Sequence, residues 1–340
     1  MQLAFRGRHE HAREDTAVSS AADNIRTITV RSDGEGRRVD TYLALRFPRF
    51  SRSRIQRMIR EEEIQSSQRN LKPSTTISAG EELLVFVPEM APQGPPPPLP
   101  TVLFEDERLL VVSKPTGMLA HPAGLTFTYG LVGIARAARP EHTVDLAHRL
   151  DRETSGVNVL TKDKKANAFL KRAFFEKKPQ KTYQAIVHGC PEWEQQVVDG
   201  AIGRAPNSSI RIRRAVNESD GLQACTTVTV LQRLGKLCLV EAAPQTGRTH
   251  QIRVHLEHLG FPILGDKMYG QPDSTFLRYL DHGEDEIIRI ATGFPRHALH
   301  AARISIPHPD GGSITIEAPL EDDMASIVAG AQPCWNEPEE

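Results

Sequence analysis

Apolar residues recur along this chain in two rhythms, and each change of rhythm marks an element. Residues 25–30 alternate as a short strand, after which Val39, Tyr42, Leu43 and Phe47 recur at helical spacing. Pro48 stops that helix, and Ser51 or Ser53 offers an N-cap for a second one, whose Ile55, Met58 and Ile59 form an apolar stripe. Ile64 and Leu71 follow, then 75–77, a Ser78-Ala79-Gly80 turn and a strand over 82–88. Further on, strand candidates at 102–104 and 109–112 flank a Glu105-Asp106-Glu107 turn. A loop through Pro115, Gly117 and Pro122 leads to helical character over 128–138. Residues 157–160 read as a strand and 164–177 as a helix, with Asp163 as N-cap and Phe169, Leu170, Ala173 and Phe174 turned inward. An alternating strand at 182–188 contains Tyr183. A strand pair at 226–231 and 237–241, a helix over 247–259, and a hairpin of 301–306 with 313–317 around Asp310-Gly311-Gly312 complete the pattern. Strands joined mostly by hairpins predominate, which predicts an α+β fold with an antiparallel or mixed sheet.

Length and composition divide the chain further. Its 340 residues suffice for about two domains with their own cores. Residues 1–24 are polar and mixed in charge and read as a disordered lead-in with no apolar core of a signal peptide. The spacer APQGPPPPLP, residues 91–100, separates a small domain at 25–90 from a larger one at 101–320. From Glu321 onward the only charges are acidic, so 321–340 reads as an acidic tail. No apolar run is long enough to cross a membrane. Cys190, Cys225, Cys238 and Cys334 are scattered without a close pair, which points to reduced thiols and a cytoplasmic protein. The net charge of -1 gives no hint of a nucleic-acid partner, but its distribution does. Residues 46–60 hold six arginines and no acid, and 162–181 hold eight Lys or Arg against Asp163 and Glu176. A solvated helix face would account for either run equally well.

Three stretches carry candidate chemistry. Asp151 lies between Arg149 and Arg152, just ahead of the strand at 157–160. Flanking cations keep such a carboxylate ionised, and an ionised Asp can serve as nucleophile or base. A loop-capping or salt-bridged Asp would look the same. Tyr183 sits on an alternating strand, where a tyrosine serves the core more often than catalysis. In residues 246–270, Arg248, His250, Arg253 and His255 crowd a short helix whose Ile252, Leu256 and Leu259 are its buried stripe. That cluster suits an anion or carboxylate, or a solvated basic face. His250, His255 and His258, and His297 with His300, lack the spacing of a zinc protease, and no metal site is expected. Neither a dinucleotide fingerprint nor a P-loop occurs.

Together these stretches resemble the RluA family of pseudouridine synthases. HRLDRETSG at 148–156 is similar to that family's catalytic motif, and KPTGMLAHP at 114–122 to its upstream loop. KTYQAIVHG at 181–189 resembles the strand of its active-site tyrosine, and GRTHQIRVHLEHLGFPILGDKMYG at 247–270 its C-terminal motif. RHALHAARISIPHPDG at 296–311 matches its usual ending. The N-terminal SRSRIQRMIR helix with KPSTTISAGEELLVFVPE resembles the small alpha-L RNA-binding domain, although Gln65-Ser66-Ser67-Gln68 replaces its usual valine-asparagine-glycine hairpin.

The resemblance implies a pseudouridine synthase fold, with a mixed, mainly antiparallel sheet and flanking helices, behind a small N-terminal α+β RNA-binding domain. It implies an isomerase without cofactor, acting as a monomer on RNA, with ribosomal RNA favoured and transfer RNA the other choice. Asp151 would be the catalytic carboxylate, Arg253 its ion-pair partner, and Tyr183 the ring that stacks on the uracil and could take the carbon-5 proton. Arg149 would hold the extruded nucleotide open, with Arg152, Arg248, His250, Lys114 and His121 as further substrate contacts. Arg49, Arg52, Arg54, Arg57 and Arg60 would bind RNA. Residues 207–222 and 271–295 fit the family pattern less well, the latter as an acidic insertion. Two other readings compete: an RNA-binding or ribosome-assembly protein without catalysis, and a carboxylate N-glycosidase. The latter would need a second acid, for which Glu153 is the candidate beside Asp151.

Overall fold

The structure, a computed structural model, describes residues 25–47, 52–86, 96–121 and 130–331. The expected lead-in at 1–24, Arg49, the first half of the proline spacer, the start of the helix expected from 128, and the end of the acidic stretch lie outside the described residues. The described residues divide into two compact units, 25–40 with 56–86, and 41–55 with 96–331.

The N-terminal elements are β1 (Ile25–Thr29), α1 (Val39–Arg46), α2 (Arg52–Arg60), β2 (Ile64–Ser66) and β3 (Glu82–Phe86). The three strands form an antiparallel sheet in the order β1-β3-β2. The stripe read from the sequence holds, since Ile55, Met58 and Ile59 are buried while Arg52 and Arg60 on the same helix are exposed. Strand pairing extends to Ser66 where the usual hairpin residues are replaced, and Ser67 N–H still reaches the Glu82 carbonyl at 3.2 Å.

The larger unit continues with β4 (Val102–Glu105), β5 (Leu109–Lys114), α3 (Leu131–Ala138), β6 (Asp145–Leu146), β7 (Ser155–Thr161), α4 (Lys164–Phe175) and β8 (Gln180–His188). Next come β9 (Gln195–Asp199), β10 (Ile202–Arg204), β11 (Arg214–Val216), β12 (Cys225–Leu234), β13 (Leu237–Pro244) and α5 (Gln251–His258). The last elements are α6 (Asp273–His282), α7 (Glu286–Thr292), β14 (Leu299–Pro307), β15 (Ser313–Glu317) and α8 (Asp322–Val328). Ten strands make one sheet, in the order β4-β5-β7-β14-β8-β13-β12-β9, with β15 beside β14 and β6 beside β7. Only the β7–β14 pairing is parallel, so the sheet is mixed and mainly antiparallel.

Every residue of β7 is buried because both faces of this part of the sheet are covered. Val157 and Val159 pack with Leu170 of α4 on one face, and Leu160 packs with Leu131 and Ala135 of α3 on the other. Asp163 caps α4 as expected, accepting the Lys165 and Ala166 N–H groups. Phe169 departs from expectation: it is 40 % exposed, because the buried stripe runs through Ala166, Leu170 and Ala173, and position 169 falls to one side of it. A second core joins β8, β13 and β14 to Ile252 and Leu256 of α5 and to Met324 and Ile327 of α8. The acidic stretch read as a tail from 321 therefore begins as a packed helix. Its acids hold it in place, with Glu321 and Asp323 on the buried Arg296 at 3.1 and 2.7 Å. No helix among the described residues is long and apolar enough to cross a membrane.

Candidate active site

Asp151 lies in the loop between β6 and β7, and its neighbours on both sides are tied down. His148 Nε2 accepts the Val159 N–H at 3.1 Å, and its ring lies 5.1 Å from that of Phe174. Thr154 bonds through Oγ1 to His297 Nε2 at 2.8 Å, and its N–H donates to the Asp151 carbonyl at 3.2 Å. Loop geometry is thus set by strand and core contacts, leaving the Asp151 side chain 37 % exposed and available for contact.

The carboxylate meets Arg253 of α5, whose Nη1 donates to Oδ2 at 3.2 Å across 102 residues of chain. Arg253 is itself held from behind, with Nε and Nη2 forking onto Asp266 at 2.6 and 2.9 Å. Asp266 is buried and also accepts the N–H groups of Met268 and Tyr269. The Tyr269 ring underlies the Arg253 guanidinium at 4.8 Å.

Burial alone would raise the Asp151 carboxyl, but attraction to His250, Arg253 and His297, the two histidines acting only once acid protonates them, and the Arg253 hydrogen bond pull it below its usual value. His250 and His297 are themselves lowered to about 4, chiefly by burial. Both rings are therefore neutral near pH 7, and Arg253 is the standing cation there.

Tyr183 reaches the same region through strand register. Ala301 of β14 pairs with Gly156 of β7 on one side and with Tyr183 of β8 on the other. Gly156 has φ +102, and a Cβ there would collide with the Ala301 backbone, so this close parallel pairing requires glycine. The Tyr183 phenol is raised well above its usual value by burial and then by the charge of Asp151, and stays protonated.

The other expected substrate contacts divide. Arg149 is exposed and makes no side-chain hydrogen bond or ion pair among the described residues, and His121 is exposed. Arg152 is exposed but spends its Nε on the Gly117 carbonyl at 3.0 Å. Arg248 Nε donates to the Gln223 carbonyl at 3.1 Å. The helix expected from 247 starts only at Gln251, whose side chain accepts from Thr246 Oγ1 and the Arg248 N–H and so closes a loop. His250 heads that helix at φ +58, with Nδ1 bonded to the Tyr269 hydroxyl at 2.8 Å. Lys114 is a correction. It is fully buried, and its ammonium donates to the carbonyls of Pro115, Met118 and Arg152 at 2.9, 3.0 and 3.1 Å. It braces the loop next to Asp151 instead of meeting a substrate, and burial draws its pKa down to about 7.

Glu153 also has a structural post. It accepts from Lys267 at 3.0 Å and from the His297 N–H at 3.0 Å. Burial opposes its charge, but the His297 N–H and the Lys267 ammonium, joined by the His297 ring only once it is protonated, outweigh burial and keep Glu153 ionised, so it is unsuited to donate a proton. His255 is occupied by Thr226 Oγ1 and the Gly200 carbonyl, and no group of three His, Cys, Asp or Glu among the described residues could hold a metal ion. Of the arginines expected to bind RNA, Arg52, Arg54, Arg57 and Arg60 lie on α2.

Residues 108–258 match the family described as RNA pseudouridylate synthase. The chain is 32% identical over 330 residues to ribosomal large subunit pseudouridine synthase D of Neisseria meningitidis serogroup A, covering 93% of this chain and 84% of that one. It is 34% identical over 322 residues to ribosomal large subunit pseudouridine synthase C of Escherichia coli K12, covering 90% of this chain and 97% of the other. Among solved structures it is similar to human RNA pseudouridylate synthase domain containing 1, with a TM-score of 0.54 at 26% identity, over 71% of this chain and 91% of that one.

Proposed function

The chain belongs to the RNA pseudouridylate synthase family, and from that membership we propose that it converts particular uridines of large-subunit ribosomal RNA to pseudouridine at Asp151. It is an isomerase. The bond from uracil N1 to ribose C1′ breaks, a bond from C5 to C1′ forms, the C5 proton leaves and N1 gains one. Substrate and product have the same composition, so no co-substrate is consumed.

The observation that carries the site is the Asp151–Arg253 contact backed by Asp266. Arg253 keeps the Asp151 carboxylate ionised and aimed, as attack on the ribose or base, or removal of a ribose proton, would each require. Tyr183 enters the reaction as a neutral phenol, with its ring as a stacking surface for uracil. To take the C5 proton it would have to pass on its own, since burial and the Asp151 charge disfavour the phenolate. Exposed Arg149, two residues from Asp151, is placed in sequence to hold open an extruded nucleotide, and a base within a helix must be flipped at a cost of a few kcal/mol. The described thiols Cys190, Cys225 and Cys238 are free, as suits a cytoplasmic enzyme, and one chain carries the whole proposed site, so a monomer suffices. Residues 25–90 would add RNA affinity through the arginines of α2.

Asp151→Asn keeps the shape of the side chain and removes its charge. We expect it to form no pseudouridine on large-subunit ribosomal RNA, by carbodiimide-dependent reverse-transcription stops, while binding that RNA within about threefold of wild type. Sustained pseudouridine formation by this variant would falsify the assignment. Release of free uracil by the wild-type protein would point to glycosidase chemistry instead.

A further inference from the structure

Helix α4 joins the two strands on which the proposed site depends. It begins at Lys164, just after β7 ends at Thr161, and leads into β8 with Tyr183. Its inner side, where Ala173 is also buried, closes one face of the sheet with Leu170, and Phe174 lies against His148, three residues before Asp151. The outer side is built differently. Phe169 is 40 % exposed and Phe175 87 % exposed, on a surface that also carries Lys164, Lys165, Lys171, Arg172, Lys177 and Lys178.

Two acids answer these six cations. Lys171 pairs with Asp145 at 3.2 Å, and Arg172 and Lys178 share Glu176 at 2.7 Å each. Lys164, Lys165 and Lys177 make no side-chain hydrogen bond or ion pair among the described residues. Arg172 stands three positions from each phenylalanine, so aromatic and cation alternate along the exposed face. Among the described residues, neither exposed ring contributes to the buried core clusters of this unit.

Cations interleaved with exposed rings match one ligand chemistry closely. Phosphates take the cations and release counterions, while unpaired bases stack on the rings without regard to sequence. A duplex hides its base faces and could use only the cations. We propose that the outer face of α4 is a second RNA contact, which holds an unpaired stretch of substrate roughly one helix diameter, about 10–12 Å, from the catalytic loop. The proposal rests on RNA being the substrate. An acidic protein segment is the rival occupant. RNA is favoured because the helix packs directly on the loop where RNA must enter, and because Lys164, Lys165 and, just past the helix, Lys177 stand unanswered.

The test compares full-length wild type with Phe169→Ser/Phe175→Ser and with Lys164→Glu/Lys165→Glu/Lys177→Glu. Probes are a 12-nucleotide single-stranded RNA of mixed sequence, the corresponding duplex, protein-free large-subunit ribosomal RNA, and a polyglutamate peptide standing for an acidic protein partner. Both variants should weaken single-strand binding by about tenfold or more in fluorescence anisotropy. The phenylalanine variant should leave duplex binding unchanged, and kcat on saturating ribosomal RNA should stay within about twofold for both. Ultraviolet irradiation should cross-link nucleotides to the wild-type peptide containing Phe175. Unchanged single-strand affinity overturns the proposal, as do cross-links confined to other peptides, or a phenylalanine variant that loses only an acidic protein partner. Wild-type pseudouridine formation is measured in parallel, so failure of the activity and failure of the α4 contact are read separately.

Discussion

Arg253 stands between two carboxylates and serves them unequally: Nε and Nη2 fork onto Asp266, while Nη1 alone reaches Asp151 at 3.2 Å. The fork fixes the plane of the guanidinium, and the remaining nitrogen is what Asp151 meets. Without Asp266, Arg253 would be free to turn and clamp Asp151, taking the lone pairs that the reaction needs. Asp266→Asn should therefore lower kcat at least tenfold and leave RNA affinity close to wild type. It should also cost about 3 kcal/mol of stability, since a buried guanidinium loses its charged partner. Single-turnover kinetics and a urea titration measure both, and a wild-type kcat would remove Asp266 from the site. Asp266 is not marked in the sequence, because Gly-Asp-x-x-Tyr-Gly has the residues of a turn, and its spacing of thirteen from Arg253 has no period. Lys114 misled for a related reason. It stands among the expected substrate contacts only through the resemblance of KPTGMLAHP, and one carbonyl that buries it belongs to Arg152, 38 residues away. By contrast, the stretches around Asp151, Tyr183 and Arg253 are recognisable in the sequence, with Tyr183 and Arg253 on readable elements and Asp151 just ahead of one.

Strand β7 depends on three histidines that must stay neutral. His148 Nε2 accepts from Val159, His297 Nε2 bonds Thr154, and His300 Nδ1 bonds Ser155 at 2.9 Å. Burial lowers all three, His148 to about 3 and His297 to about 4. Above their unfolded value of 6.5 these rings are neutral in both states, and full stability is present. As pH falls below 6.5 the unfolded chain binds protons that the folded chain refuses, so stability falls until the folded values are reached. The carboxylates Asp151, Glu153 and Asp266 are depressed instead, so their contribution is kept until the pH drops below about 4. The urea midpoint should thus decline steadily between pH 6.5 and about 4, before the carboxylates add to the loss. His148→Gln, whose amide oxygen can still accept from Val159, should flatten part of that slope. A midpoint that stays level from pH 7 to 5 would show that these rings are not held neutral. The sequence announced β7 through its apolar run, as it did β8, β12, β13 and the β14–β15 hairpin. It did not announce β10 and β11, three residues each, or α6 and α7. Asp273 of α6 explains part of that silence, because it is anchored by Ser208, Ser209 and Arg213 from the other atypical segment. Two stretches without a clear pattern of their own are folded by each other.

Across the whole chain a net charge of -1 conceals basic runs set apart in sequence, and the proposed division of labour follows from where in the sequence they lie. The arginines of α2 belong to the N-terminal segment, in sequence far from the proposed catalytic motif, and the spacer at 91–100 keeps both segments on one chain. A second weak RNA contact on the same chain raises the effective concentration of substrate at the first without touching the chemistry. Its loss should therefore appear in affinity and salt dependence, not in the rate of a saturated enzyme. Arg57 and Arg60 make no side-chain hydrogen bond or ion pair among the described residues, so reversing them breaks none of these. Arg57→Glu/Arg60→Glu should weaken binding of large-subunit ribosomal RNA roughly tenfold near 0.1 M salt. The slope of log K against log salt should become less negative by about 0.7–0.9 for each phosphate contact removed. At saturating RNA, kcat should match wild type within about twofold, because the Asp151–Arg253–Asp266 chain is untouched. If the slope and dissociation constant stay at wild-type values, α2 is a solvated basic helix, and RNA binding must rest on the larger unit alone.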